Sequence, residues 1–270
     1  MSSSDTASNT DNSAPYYLST GNEIDVFNAA FRRKLPIMLK GPTGCGKTRF
    51  VEHMAHKLGR PLISVACHED ITAADLVGRY LLTGGETVWV DGPLTRAVRE
   101  GAICYLDEIV EARADSTVVI HPLTDHRREL NLERLGETLK APDDFMLVVS
   151  YNPGYQSVLK DLKPSTRQRM VAVEMTYPGF DHEVKIVMQE SGITEQAAKD
   201  LVKLASAIRK LDNSTLPEVS STRSLVATGL LMQEGLSPRE AARAAMLMPL
   251  TDDADVQRGL AEVIQSYLAD

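Results

Sequence analysis

The chemistry of this chain starts at Gly41, Pro42, Thr43, Gly44, Cys45, Gly46, Lys47 and Thr48, where glycines, a lysine and a hydroxyl fall at the spacing of a phosphate-cradling loop. Such a loop aims backbone N–H groups and the positive end of the following helix at an anion. Gly41 to Gly46 would wrap a nucleoside triphosphate, with Lys47 reaching the β and γ phosphates and Thr48 holding Mg²⁺. Cys45 lies inside the loop, where the helix end and Lys47 would favour a thiolate; the alternative is a small buried filler.

A second set of residues suits hydrolysis of what the loop binds. The apolar run Ala102 to Leu106 ends in Asp107 and Glu108. At the end of a buried strand Asp107 would hold the water shell of Mg²⁺, and Glu108, turned to the other side by strand alternation, would polarise the water that attacks the γ phosphate. Asn152 follows the run Leu147 to Tyr151 and precedes Pro153 and Gly154. An amide at a strand's carboxyl end would orient that water without adding repulsive charge, whereas asparagine before Pro-Gly is also a turn former. Arg167 and Arg169 are either solvated or the source of a guanidinium offered to the γ phosphate of a neighbouring subunit. Arg223 opens a later helix, as a ligand of the nucleotide or as an exposed first-turn residue opposed by the helix dipole. His53 with His56, and Cys67, His68, Glu69 and Asp70, do not complete the four-ligand spacing of a structural zinc site.

These residues need a scaffold, and the hydrophobic pattern supplies one. Ile37 to Leu39 reads as the strand that delivers the loop, while Phe50, Val51, Met54, Ala55 and Leu58 mark the helix that leaves it and stops at Gly59. A helix over 22–33 precedes them. Short apolar runs at Leu62–Ala66, Ile103–Leu106, Met146–Ser150 and Val171–Met175 alternate with helical or loop sequence, which predicts an α/β domain over 15–179 with a mostly parallel sheet. After Pro178 and Gly179 strand-like runs stop, and amphipathic helices over 181–189, 194–211, 221–233, 237–246 and 252–268 form an all-α domain over 180–270, with a polar linker at 212–220. Residues 79–90 read as a projecting hairpin turning at Thr83 to Glu86, whose Trp89 either grips a partner or packs on the body. A second projection is expected over 127–141, and a disordered tail over 1–14.

Composition narrows the setting. A length of 270 with 43% hydrophobic residues supports one large or two modest cores. Net charge of −8 argues against a nucleic-acid partner. An odd set of 3 cysteines, no apolar run of membrane-spanning length and no signal segment point to a cytoplasmic protein without a membrane partner.

Taken in order, Gly41 to Thr48, Ile103 to Glu108, Ser150 to Pro153, Ser165 to Arg169 and Ser221 to Ser224 resemble the motif series of AAA+ ATPases. The hairpin before Asp91 to Gly101 and the extra segment before Met146 resemble the MoxR branch, and the stretch from Ile37 to Met188 is similar to its NorQ/CbbQ group, most of all to CbbQ-type motor subunits of bacterial Rubisco activases. The resemblance implies a P-loop AAA+ core with a C-terminal all-α lid, a homo-hexamer with ATP and Mg²⁺ at subunit boundaries, Asn152 as first sensor, Arg223 as second sensor, and Arg167 or Arg169 acting in trans. It also implies a von Willebrand factor A domain adaptor, CbbO in the Rubisco case, and Rubisco as client. NorQ-like relatives imply instead metal insertion into an oxidoreductase. A reading of a different class is a monomeric P-loop phosphotransferase acting on a small molecule.

Overall fold

The computed structural model describes residues 14–153, 162–211 and 219–270. The expected tail, apart from Ala14, residues 212–218 of the expected linker, and Gly154 lie outside the described residues. Elements run in the order α1 (Glu23–Arg32), β1 (Ile37–Lys40), α2 (Lys47–Leu58), β2 (Leu62–Ala66), α3 (Ala73–Val77), β3 (Gly78–Thr83), β4 (Glu86–Asp91), α4 (Pro93–Glu100), β5 (Ile103–Asp107), α5 (Ala114–Val119), β6 (Glu129–Leu132), β7 (Glu137–Lys140), β8 (Met146–Tyr151), α6 (Pro164–Arg167) and β9 (Val171–Glu174). The helices α7 (Phe180–Ser191), α8 (Glu195–Ile208), α9 (Thr222–Gln233), α10 (Pro238–Ala242) and α11 (Ala254–Tyr267) follow.

Each apolar run read from the sequence becomes one strand of a five-stranded parallel sheet in the order β2-β5-β8-β1-β9. Both faces are covered, which is why the strands read as continuous hydrophobic segments rather than as alternating ones. Ile37 and Leu39 point to one face with Phe50, Val51 and Met54 of α2. Met38 points to the other with Leu94 and Val98 of α4. Because β5, β8 and β1 are neighbours and parallel, their carboxyl ends share one edge of the sheet.

Both inserted hairpins form, and the first projects: its residues 79–88 and Val90 are exposed, Leu82 by 77%. In β3–β4 the connection narrows to Gly84 and Gly85, at φ 63° and 89°, the positive-φ pair that a two-residue hairpin turn needs. Trp89, at the base of the hairpin, packs on the sheet core, with Tyr80 edge-on at 5.3 Å and its indole N–H donating to Asp91 at 2.6 Å. The second expected projection is corrected. Leu130 and Leu132 of β6 alternate inward and are fully buried in the same core.

The C-terminal helices enclose their own core, with Val187, Leu201, Leu204, Leu225, Met246 and Leu260 at its centre. Ser237 and Glu240 cap α10 reciprocally, but the helix widens into a π-type turn over Arg243–Leu247 instead of running on unchanged. No helix among the described residues is long and apolar enough to cross a membrane. Within this layer Glu183, only 1% exposed, accepts two hydrogen bonds from the Arg209 guanidinium at 2.8 Å and one from the Thr222 hydroxyl at 2.6 Å. Removing the cation from a buried carboxylate is far costlier than removing the pair. Arg209→Met is expected to lower stability in urea denaturation by about 3–5 kcal/mol, and adding Glu183→Leu to recover most of it. A loss in the single variant no larger than about 1 kcal/mol, the scale of an exposed pair, would contradict this account.

Candidate active site

The loop after β1 folds as its glycines require. A Cβ on Gly41 would lie 2.3 Å from the Met175 carbonyl, and Gly44 has φ 69° with Ser221 of the helical layer pressed against it, 2.5 Å from where a Cβ would be. The loop is therefore in contact with the residue just past β9 on one side and with the start of α9 on the other. Gly46, at φ 101°, turns the chain into α2.

Lys47 is 7% exposed and donates to the carbonyls of Gly41 and Pro42, both at 2.9 Å, and to Asn152 Oδ1 at 2.6 Å. Burial pushes its pKa down, and the carboxylates of Asp107 and Glu108 pull the other way. Asn152, also 7% exposed, has its amide orientation fixed by that ammonium, which only an oxygen can face. Its Nδ2 then donates to Glu108 Oε1 at 3.0 Å and to Thr43 Oγ1 at 3.2 Å. Asparagine at the end of β8 is thus more than a turn former: it joins the loop lysine to the acidic strand.

Thr48 Oγ1 donates to Asp107 Oδ2 at 3.2 Å, while Asp107 Oδ1 accepts from Tyr105 at 2.7 Å and from Ser150. Asp107 and Glu108 both face the cavity, but not through strand alternation as the sequence reading had it. β5 ends at Asp107, and Glu108 takes left-handed backbone angles, φ 56° and ψ 45°, which re-aim its side chain toward Asn152. Two hard oxygen donors, Thr48 Oγ1 and Asp107 Oδ2, side by side at the end of the loop suit Mg²⁺, and a loop turned by Gly44 and Gly46 at positive φ into the N-terminus of α2 suits phosphate. Elsewhere, no cluster of three or more His, Cys, Asp or Glu side chains among the described residues could hold a metal.

These groups open into a cavity of about 620 Å³ whose walls come from three parts of the chain: the loop with Asp107 and Glu108, the segment Tyr16 to Thr20, and the helical layer through Ile186, Thr222 and Arg223. The N-terminal segment is held down by Tyr17, which packs on Phe50 and donates to Glu23 at 2.9 Å, and by the Pro15 carbonyl beside His53 at 3.0 Å. Sequence reading missed this wall, and only the tyrosine pair in a polar stretch could have signalled it. It also missed Tyr105, Ser150, and Tyr177, whose hydroxyl donates to the Thr43 carbonyl at 2.9 Å beneath the Arg209 guanidinium, 4.1 Å from the ring.

Arg223 is exposed in the first turn of α9 and lines the cavity, within reach of the loop. Neither Arg167 nor Arg169 lines it. Arg169 donates to Asp125 at 3.0 Å and to the His121 carbonyl at 3.4 Å, and Arg167 closes α6, half-buried. The expectation of a thiolate at Cys45 is overturned. Cys45 is buried, and burial raises its pKa by more than Lys47 and the loop N–H groups lower it, so the small-filler reading holds. All three cysteines are free thiols in buried positions.

Residues 36–170 match the family described as AAA domain (dynein-related subfamily), and residues 183–267 match the family described as CbbQ/NirQ/NorQ C-terminal. The chain is 61% identical over 250 residues to protein NorQ of Paracoccus denitrificans, covering 93% of each. It is 56% identical over 257 residues to protein CbbQ of Hydrogenophilus thermoluteolus, covering 95% of this chain and 96% of that one. In fold it is similar to a singly substituted RuvB of Thermotoga maritima, with a TM-score of 0.54 at 15% identity over 88% of this chain and 66% of that chain. A nucleotide-type cradle, an acidic strand end, matches over both parts of the chain and near full-length identity above one half together give the conclusion: the chain belongs to the CbbQ/NirQ/NorQ family of AAA ATPases.

Proposed function

We propose that this ATPase is the motor subunit of a homo-hexameric ring that hydrolyses ATP with Mg²⁺ to remodel a client protein. The observation that carries the reading is the convergence of Lys47, Thr48, Asp107 and Glu108 on one cavity, with Asn152 behind them bonded to Lys47 and Glu108; the helical layer closes the cavity through Arg223, while Arg167 and Arg169 lie outside it. In this reading Gly41 to Gly46 and Lys47 hold the triphosphate, and Thr48 and Asp107 hold the ion, which when bound neutralises charge on the phosphates. Glu108 takes a proton from the attacking water, and Asn152 fixes the carboxylate that does so. Arg223 senses nucleotide from the helical layer, and Arg167 or Arg169 completes the site of the neighbouring subunit. Ligand-dependent movement follows only if ATP favours one arrangement of the helical layer over another, and the contact of Ser221 with Gly44 gives a route for that preference.

Two clients stand in this proposal. The sequence motifs put Rubisco first, recruited by a CbbO-like adaptor with a von Willebrand factor A domain. Identity of 61% to NorQ against 56% to CbbQ brings maturation of a denitrification oxidoreductase level with it. ATPase stimulation by each candidate client with its adaptor separates them: only the true pair should raise turnover, and stimulation by neither would contradict both.

Glu108→Gln is expected to bind ATP with near-normal affinity and to lose at least about 100-fold in turnover, because a neutral amide cannot accept the proton. Wild-type turnover in that variant removes Glu108 from its role. A ring also predicts complementation between subunits. Equal mixing of Lys47→Ala chains with Arg167→Ala/Arg169→Ala chains should restore about a quarter of wild-type turnover, the share of interfaces that pair an intact loop with an intact arginine donor. No recovery on mixing, with activity per chain unchanged on dilution, would favour the monomeric phosphotransferase instead.

A further inference from the structure

One hydroxyl below the cavity contacts both carboxylate-bearing residues. Ser150 is fully buried near the end of β8, two residues before Asn152 and on the same side of the strand. Its oxygen accepts the Glu108 backbone N–H at 3.0 Å, and its single proton goes to Asp107 Oδ1. The first bond holds the amide of a residue in the left-handed region, a conformation that a glutamate keeps only where its surroundings over-determine it. The second, with the Tyr105 hydroxyl at 2.7 Å, occupies Oδ1 and leaves Oδ2 turned to Thr48. Neither Ser150 nor Tyr105 lines the cavity, so neither touches substrate.

We propose that Ser150 is a positioning residue for hydrolysis, setting the direction of Glu108 through its backbone and the presented oxygen of Asp107 through its side chain, with Tyr105 acting on Asp107 and not on the Glu108 backbone. This rests on the hydrolytic roles given above to Asp107 and Glu108. The division of labour makes the two hydroxyls separable. Losing Ser150 frees the Glu108 backbone and loosens Asp107; losing the Tyr105 hydroxyl, which also reaches Ser150 and Thr48, loosens Asp107 but leaves the Glu108 N–H bonded to Ser150.

The test measures Ser150→Ala, Tyr105→Phe and Glu108→Gln in the full chain for turnover at saturating Mg²⁺, for the Mg²⁺ concentration at half-maximal rate, and for affinity toward a fluorescent ATP analogue without metal. Ser150→Ala should lower turnover by about 10–100-fold and raise the Mg²⁺ requirement, while metal-free affinity stays within about two-fold because the loop is untouched. Tyr105→Phe should raise the Mg²⁺ requirement similarly but lose at least about five-fold less in turnover. The inference is overturned if Ser150→Ala turns over like wild type, if both variants lose turnover equally, or if metal-free affinity falls in step with turnover, the mark of a merely structural role. Should Ser150→Ala fail to fold, Ser150→Cys keeps the volume with a weak donor and is held to the same outcomes. Retained turnover in Glu108→Gln would instead sink the hydrolytic reading itself, independently of Ser150.

Discussion

A single amide stands between opposite charges at the centre of this molecule. Asn152 offers its oxygen to the Lys47 ammonium and its nitrogen to the Glu108 carboxylate, so one side chain ties the phosphate loop to the acidic strand. The constraint is chemical: the amide accepts from a cation through its oxygen and donates to an anion through its nitrogen, two separate atoms held in one plane, and its orientation is set by the ammonium, which only the oxygen can face. In the water-poor edge of the sheet such contacts carry more weight than they would at the surface. Under the proposed function, displacement of Lys47 toward phosphate would be felt at Glu108 through this one group.

The fold exists in this form because that amide needs three strand ends side by side. Placing β8 between β5 and β1 brings Asp107 and Glu108, Asn152, and the loop to one edge. The helical layer then leans on the same edge, through Ser221 at Gly44 and through Tyr177, whose hydroxyl holds the Thr43 carbonyl while Arg209 covers its ring and clamps Glu183. Loop geometry and the position of α9 are thereby set by overlapping contacts, which is what coupling of nucleotide state to movement of the helices requires.

Much of this was legible in the residues. The five apolar runs became the five strands because a parallel sheet covered on both faces needs uninterrupted hydrophobic segments, and Gly59 and the Ser237–Glu240 pair ended and began helices where their chemistry says they should. What could not be read depended on tertiary position. Polar residues within strands, Tyr105 and Ser150, look like ordinary strand formers until the sheet order brings them to Asp107. The direction of Glu108 was misread because strand alternation stops one residue earlier than the motif does, and the charge state of Cys45 because burial outweighs a nearby cation. The polar look of residues 127–141 hid two inward leucines, since a hairpin with one face on the body needs only every second residue to be apolar.

Asn152→Asp tests the central amide most directly, since it exchanges one nitrogen for oxygen at nearly constant volume and turns the donor facing Glu108 into a repelling charge. Measured by single-turnover hydrolysis alongside ATP affinity, it should cut the chemical step by at least about 100-fold with affinity changed by no more than about ten-fold. A chemical step at the wild-type rate in that variant would contradict the account, because the carboxylate would then need no neutral donor to hold it.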